Sequence, residues 1–182
     1  EYSAVVTRAD KRGISVHIVR ENVSDREPKT RVFLLIGALK GDKTELVVQK
    51  ATELGVSRIG VFSSRYCSAY MNENKLERLN RVAREAAKQC LRASVPRVEY
   101  YETLEDALQA GTECVTRLFA CEFISETEKD LIDPGATVAA VVGSEGGFAE
   151  EEYALAQRLG YCGVSLGRRI LRAETAAIAL LS

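Results

Sequence analysis

The chain has no tryptophan, one histidine, one methionine and three prolines among its 182 residues. The single histidine, His17, falls in an alternating, strand-like segment near the N-terminus, which sets aside a histidine-built metal site or a Ser-His-Asp triad. Five cysteines, Cys67, Cys90, Cys114, Cys121 and Cys162, form no C-x-x-C pair and leave an odd count. That pattern argues against structural zinc and points to free thiols in a reducing cytoplasm. No apolar run approaches the length that spans a bilayer, and Glu1-Tyr2-Ser3 has no signal-peptide character, so no membrane association is expected. The first residue is not Met, so the N-terminus reads as trimmed, and the C-terminus stops at Leu181-Ser182 within an apolar helical run. An excess of one charge sign is also missing: 25 basic against 26 acidic residues leave a net charge of −1. Any attraction to nucleic acid must therefore come from local patches.

With 46% hydrophobic and 28% charged residues, the composition is that of an ordinary globular protein, with room for one substantial domain and a fragment of another. Residues 1 to about 20 read as two short strands around a turn at Asp10-Lys11-Arg12-Gly13. A polar connector, Asn22 to Thr30, follows. Strands are then expected at 32–36, 58–62, 97–100, 115–121, 138–142 and 163–166. They alternate with helices at about 44–54, 73–91, from Thr103, at 150–159 and from 174. Thr103 and Asp106 form a capping signal, and Gly160 a stop. Such alternation predicts an α/β fold with a mostly parallel sheet covered by helices on both faces.

Two strand ends run into turns of unusual composition. Val141-Val142 leads into Gly143-Ser144-Glu145-Gly146-Gly147-Phe148, and Val164-Ser165-Leu166 leads into Gly167-Arg168-Arg169-Ile170-Leu171-Arg172-Ala173-Glu174. The first could be only a tight strand-to-helix turn. The second places three arginines and a glutamate between apolar segments, where a plain connection has no use for so much charge. Neither is G-x-G-x-x-G nor a Walker loop, so ordinary dinucleotide or triphosphate cradling is not indicated. Together they mark a ligand crevice at the carboxyl ends of the strands.

One local basic patch can be read. Between Lys75 and Arg97 there are seven basic residues against two acidic ones, Glu77 and Glu85. At roughly 100° per residue, Leu76, Leu79, Val82, Ala83, Ala86, Ala87 and Cys90 share one helical face, and Arg78, Arg81, Arg84, Lys88 and Arg92 the opposite one. This face reads either as a solvated surface or, more sharply, as a phosphate-binding face.

The two turns resemble the RsmE-type family of 16S rRNA uridine-N3 methyltransferases in the SPOUT superfamily, whose pattern runs G-P-E-G-G-F and then L-G-P-R-I-L-R-T-E-T-A. The likeness extends to Gln49-Lys50-Ala51-Thr52-Glu53-Leu54-Gly55-Val56, to Ser64-Arg65-Tyr66-Cys67, and to Glu85-Ala86-Ala87-Lys88-Gln89-Cys90-Leu91-Arg92 with Pro96. Departures stand at Ser144 and Arg168 for proline, Ala173 for threonine, and Leu79 where tryptophan is frequent. The resemblance implies a deep C-terminal trefoil knot, an exception to the general absence of knots. It also implies that residues 1–28 are the last strands of a PUA-like RNA-binding barrel, with 29–182 the methyltransferase domain, and that the enzyme is a homodimer.

The cofactor implied is S-adenosyl-L-methionine, held by Gly143, Glu145, Gly147 and Gly167 and by the apolar Leu166, Ile170 and Leu171. Arg172 would stabilise negative charge on uracil, and Glu174 would orient it or relay a proton. Arg65, Arg81, Lys88, Arg92 and Arg169 are the candidates for RNA phosphates, with structural ion pairs as their alternative. No metal is implied. The partner implied is the ribosomal RNA of the small subunit, and the location cytoplasmic. Two alternatives remain open: another SPOUT RNA methyltransferase, for example of a ribose 2′-hydroxyl, or an RNA-binding module that has lost catalysis.

Overall fold

The computed structural model describes residues 2–22, 26–122, 124 and 136–182. Two strands, β1 (Tyr2–Asp10) and β2 (Gly13–Glu21), form an antiparallel hairpin turning where the Asp10-to-Gly13 signal lies. All of its residues are exposed, including Val5, Val6, Ile14, Val16 and Ile18. His17 sits on β2 opposite Val5. Part of the polar connector, residues 23–25, lies outside the described residues.

The remaining elements, in order, are β3 (Arg31–Gly37), α1 (Lys43–Glu53), β4 (Arg58–Phe62), α2 (Glu73–Gln89), β5 (Arg97–Tyr101), α3 (Leu104–Gly111) and β6 (Thr116–Ala120). They continue with β7 (Thr137–Val142), α4 (Glu150–Arg158), β8 (Cys162–Val164) and α5 (Ala173–Leu181). The six strands form one sheet in the order β5-β4-β3-β7-β6-β8, with every pairing parallel. The expected α/β class holds, with helices on both faces. Successive residues of a strand point to opposite faces, and β3 shows both cores. Leu34 and Ile36 face α1, α2 and α5 through Val47, Val48, Ala83 and Ala177. Phe33 and Leu35 face α3 and α4 through Leu108 and Ala156, in a cluster that also holds Phe119 of β6 and Phe148 of the turn after β7.

Local chemistry explains most helix boundaries. Asn72 caps α2 by accepting the Lys75 N–H (2.9 Å), and Thr103 caps α3 by accepting the Asp106 N–H (3.1 Å). Helices α1, α2 and α4 end in the same paired bonds. Val56, Arg92 and Tyr161 donate to the carbonyls of Ala51, Ala87 and Ala156, around Gly55, Leu91 and Gly160 in the left-handed region.

Leu91 (φ 59°) is the one non-glycine residue among those described that takes this conformation, and it corrects the sequence reading of α2. The helix ends at Gln89 rather than Leu91, and Arg92 leaves the helical line instead of extending the basic face. Strand β8 is likewise shorter than expected, ending at Val164, because Ser165 and Gly167 already belong to a turn.

Candidate active site

The parallel sheet aims the carboxyl ends of β6, β7 and β8 at one cavity of about 980 Å³, at the upper end of the size range of small-molecule and cofactor sites. After β7 the chain turns sharply, the Gly147 N–H donating to the Ser144 carbonyl (3.0 Å) with Gly147 at φ 69°. Phe148 is then buried against Phe119, with ring centroids 4.2 Å apart. Gly37, at the end of β3, lies beneath this turn: a Cβ there would stand 2.5 Å from the Ser144 nitrogen. The strand end and the turn thus meet backbone to backbone, which only glycine permits. Glu145 ties the turn to the start of α1 by accepting from the Lys40 N–H (3.0 Å) and the Lys43 ammonium (3.1 Å). Burial pushes its carboxyl upward, but these donors outweigh that and hold it below the usual carboxylate range.

The second turn leaves β8 with the Gly167 N–H donating to Ser165 Oγ (3.3 Å). Gly167 has φ 97°, and a Cβ there would meet nothing within 4 Å, because it faces open space. Arg168 and Arg169 are exposed, Ile170 is 92% exposed, and Leu166 and Leu171 are half-buried. Arg172 is the N-cap of α5, its carbonyl accepting the Ala176 N–H (2.8 Å) while its side chain stays exposed. Glu174 lies in the first helical turn, where the helix dipole favours a carboxylate. Its Oε2 is enclosed and has no hydrogen-bond partner among the described residues, and the same holds for Ser144 Oγ.

Gly143, Glu145, Gly147, Leu166, Gly167, Arg169, Ile170, Leu171, Arg172 and Glu174, all expected at the site, line this one cavity. The other basic candidates do not. Arg65 follows β4 and is tied to the first turn of α4, its N–H donating to Glu152 (2.9 Å) and its guanidinium to Glu151 (3.3 Å). Arg81 and Lys88 lie exposed on α2, with Lys88 paired to Glu85 (2.8 Å).

Arg92 is a correction. Its side chain is 5% exposed, its guanidinium donates to Glu27 (2.7 Å), and one nitrogen bonds the Thr52 and Val56 carbonyls. The left-handed Leu91 turns it inward, so it clamps the connector to the domain and is not offered to phosphate. The sequence reading also missed Lys43, Ser144 and, just past the end of β6, Cys121 and Glu122, which line the cavity. The rule that ligands bind at strand carboxyl ends could have found the β6 residues.

The fold and the site define the class first. Residues 26–182 match the model of the RNA methyltransferase domain family. Ribosomal RNA small subunit methyltransferase E of Mesomycoplasma hyopneumoniae is 33% identical over 168 residues, covering 91% of this chain and 74% of that protein. A methyltransferase of Legionella pneumophila solved with bound SAM superposes with TM-score 0.87 at 29% identity, over 99% of this chain and 76% of its own. Ribosomal RNA small subunit methyltransferase E of Neisseria gonorrhoeae bound to S-adenosyl methionine gives 0.83 at 27%, over 99% and 76%. The chain belongs to the ribosomal RNA small subunit methyltransferase E family.

Proposed function

We propose that this protein transfers a methyl group from S-adenosyl-L-methionine to N3 of a uridine in small-subunit ribosomal RNA. One observation carries the reading: two turns separated in sequence by α4 and β8, 143–148 and 165–174, converge on a single cavity that joins open backbone at Gly167 to the arginine-bearing start of α5. The cavity fits the cofactor. Gly167 leaves backbone open to the cavity, Gly143 and Gly147 line it from the tight turn, Leu166 and Leu171 supply apolar wall, and Ser144 Oγ and Glu174 Oε2, without partners among the described residues, leave polar atoms over.

When bound, S-adenosylmethionine supplies a methyl group on a sulfonium, already activated for displacement without a metal. The chain's own task is to hold the acceptor in line and help uracil N3 lose its proton. Arg172, at the rim, stabilises the negative charge that develops on the ring as N3 deprotonates. Glu174 orients that guanidinium or relays the proton.

The remaining features of this reading have separate supports. The C-terminal trefoil knot is supported by the out-of-sequence strand order β7-β6-β8 and by α5 returning to the α1 side of the sheet. Residues 1–28 as the end of a PUA-like barrel are supported by a hairpin whose apolar residues are all exposed. A homodimer is supported by Ile170 standing exposed beside the cavity, and a cytoplasmic location accords with the ribosomal RNA substrate of this reading.

Calorimetric titration with S-adenosylmethionine tests the core of the proposal. One site per chain is expected, and no binding would turn the reading toward an RNA-binding module without catalysis. Gly167→Val is expected to weaken that binding by about 1–3 kcal/mol, because it fills cavity space and strains a left-handed position. Equal affinity would remove the cofactor from this turn. On α2, Arg81→Ala with Lys88→Ala is expected to lower RNA affinity and reduce the salt slope by about one unit per lost phosphate contact. Cofactor affinity should stay constant, and an unchanged slope would make this an ordinary solvated face.

A further inference from the structure

The loop between β4 and α2, residues 63–72, sits against the first cavity turn: a Cβ on Gly146 would lie 2.5 Å from Tyr66 Cβ and 2.9 Å from its carbonyl oxygen. The loop is pinned from below. The Cys67 thiol donates to the Ala38 carbonyl (3.1 Å), the Cys67 N–H to the Ser64 carbonyl (3.0 Å), and Met71 is buried in the core. Alternating with these anchors, Tyr66 and Tyr70 point outward, 49% and 73% exposed. They are the only exposed aromatic side chains described after the hairpin; the other described rings there are buried or half-buried. Each carries a cation. The Arg65 guanidinium lies 5.7 Å from the Tyr66 ring centre, and the Lys75 ammonium 5.9 Å from that of Tyr70, held by a bond to the Tyr70 carbonyl (2.6 Å).

Exposed rings on a pinned loop lose apolar burial without gaining flexibility, so their placement calls for a ligand with a π-face. The Lys75 ammonium beside Tyr70 calls for the same ligand to be anionic, and Arg65, whose pair with Glu151 is long (3.3 Å) and solvent-exposed on both sides, can exchange that partner for a phosphate. Unpaired nucleotides meet both demands, with bases stacking on aromatic side chains while phosphates meet nearby basic groups. We propose that Tyr66 and Tyr70, with Arg65 and Lys75, form a stacking platform that receives unpaired bases of the substrate RNA at the rim of the cavity. The inference rests on the methyltransferase reading for the identity of the RNA, but not for the stacking itself.

The test uses the full chain, a fluorescent single-stranded oligoribonucleotide containing 2-aminopurine, and S-adenosylmethionine calorimetry on the same preparations. Tyr66→Ala keeps the Cβ and carbonyl that touch Gly146, so the turn is preserved. Tyr66→Ala and Tyr70→Ala are each expected to weaken RNA binding about 5- to 100-fold, as loss of one stacked base does, and to reduce the quenching of 2-aminopurine. S-adenosylmethionine affinity is expected to stay at the parental value. Tyr66→Phe should bind as the parent does, and Tyr66→Leu should not, because leucine keeps apolar area but offers no π-face. Parental RNA affinity in both alanine variants, rescue by leucine, or no binding of the oligonucleotide by the parent would overturn the platform. Failure of the parent to bind S-adenosylmethionine while Tyr-dependent quenching persists would overturn the methyltransferase reading alone.

Discussion

Replacing Arg172 by alanine is expected to slow single-turnover methylation of small-subunit rRNA by about 10²–10³, equivalent to roughly 2.7–4 kcal/mol of transition-state stabilisation. The physical reason is differential. The guanidinium stands at the start of α5, exposed on the cavity rim, and meets its full partner only when negative charge appears on the base. The cofactor is held on the proposed reading by backbone and apolar wall, so its affinity should change far less. Arg172→Lys should rescue poorly, since an ammonium cannot present the planar pair of donors that fits a uracil edge. Near-parental turnover in the alanine variant would end the catalytic assignment, and an equal loss of cofactor affinity would make Arg172 a binding residue.

The largest effect on stability is expected at the other end of the domain, from Glu27→Ala. Glu27 accepts from the Arg92 guanidinium and from the N–H groups of Ala93 and Ser94. Removing it strands a cation whose side chain is only 5% exposed. Stripping one partner from a fully buried pair costs about 3–5 kcal/mol, and the loss here lies no higher than the low end because the Glu27 side chain is 30% exposed and Arg92 keeps the Thr52 and Val56 carbonyls. A loss of about 3 kcal/mol corresponds to a fall in Tm of roughly 6–12 °C for a chain of this size. Glu27→Ala with Arg92→Met should recover part of it, because no charge is then stranded.

The pair also sets a pH window. The hydrogen-bonded Arg92 outweighs burial and lowers the Glu27 carboxyl from 4.5 to about 2. A carboxyl depressed in the folded state stabilises fully above its unfolded value and loses that contribution as pH falls from 4.5 toward 2. Thermal melts of the parent and of Glu27→Gln should converge across that interval. Curves that stay parallel would assign the clamp no role in acid stability.

Much of the site was legible because its signals are local in sequence. A strand that ends in Gly143 and another that ends near Gly167 can be read from apolar runs and glycines, and Arg172 and Glu174 stand out because charge at a strand-to-helix turn has no structural use. Arg92 was misread for an equally local reason: helical periodicity carries on past Gln89 until a residue takes the left-handed conformation, and Leu91 gives no such warning where glycine would. Glu27 and Arg92 are 65 residues apart, and no periodicity pairs them.

By itself the sequence determined the alternation of strands and helices, the parallel sheet covered on both faces that this alternation implies, and the residues around which chemistry is possible. Those properties depend on each residue's neighbours along the chain. The tertiary structure decided which strand ends share a cavity, that Gly37 touches Ser144, that Glu145 is spent on Lys40 and Lys43, and that Arg92 is a clamp while Tyr66 and Tyr70 face solvent. These depend on the strand order β5-β4-β3-β7-β6-β8, which brings together segments about a hundred residues apart. Parallel pairing is selected by burial of both sheet faces at once, a global condition that no short stretch of sequence carries.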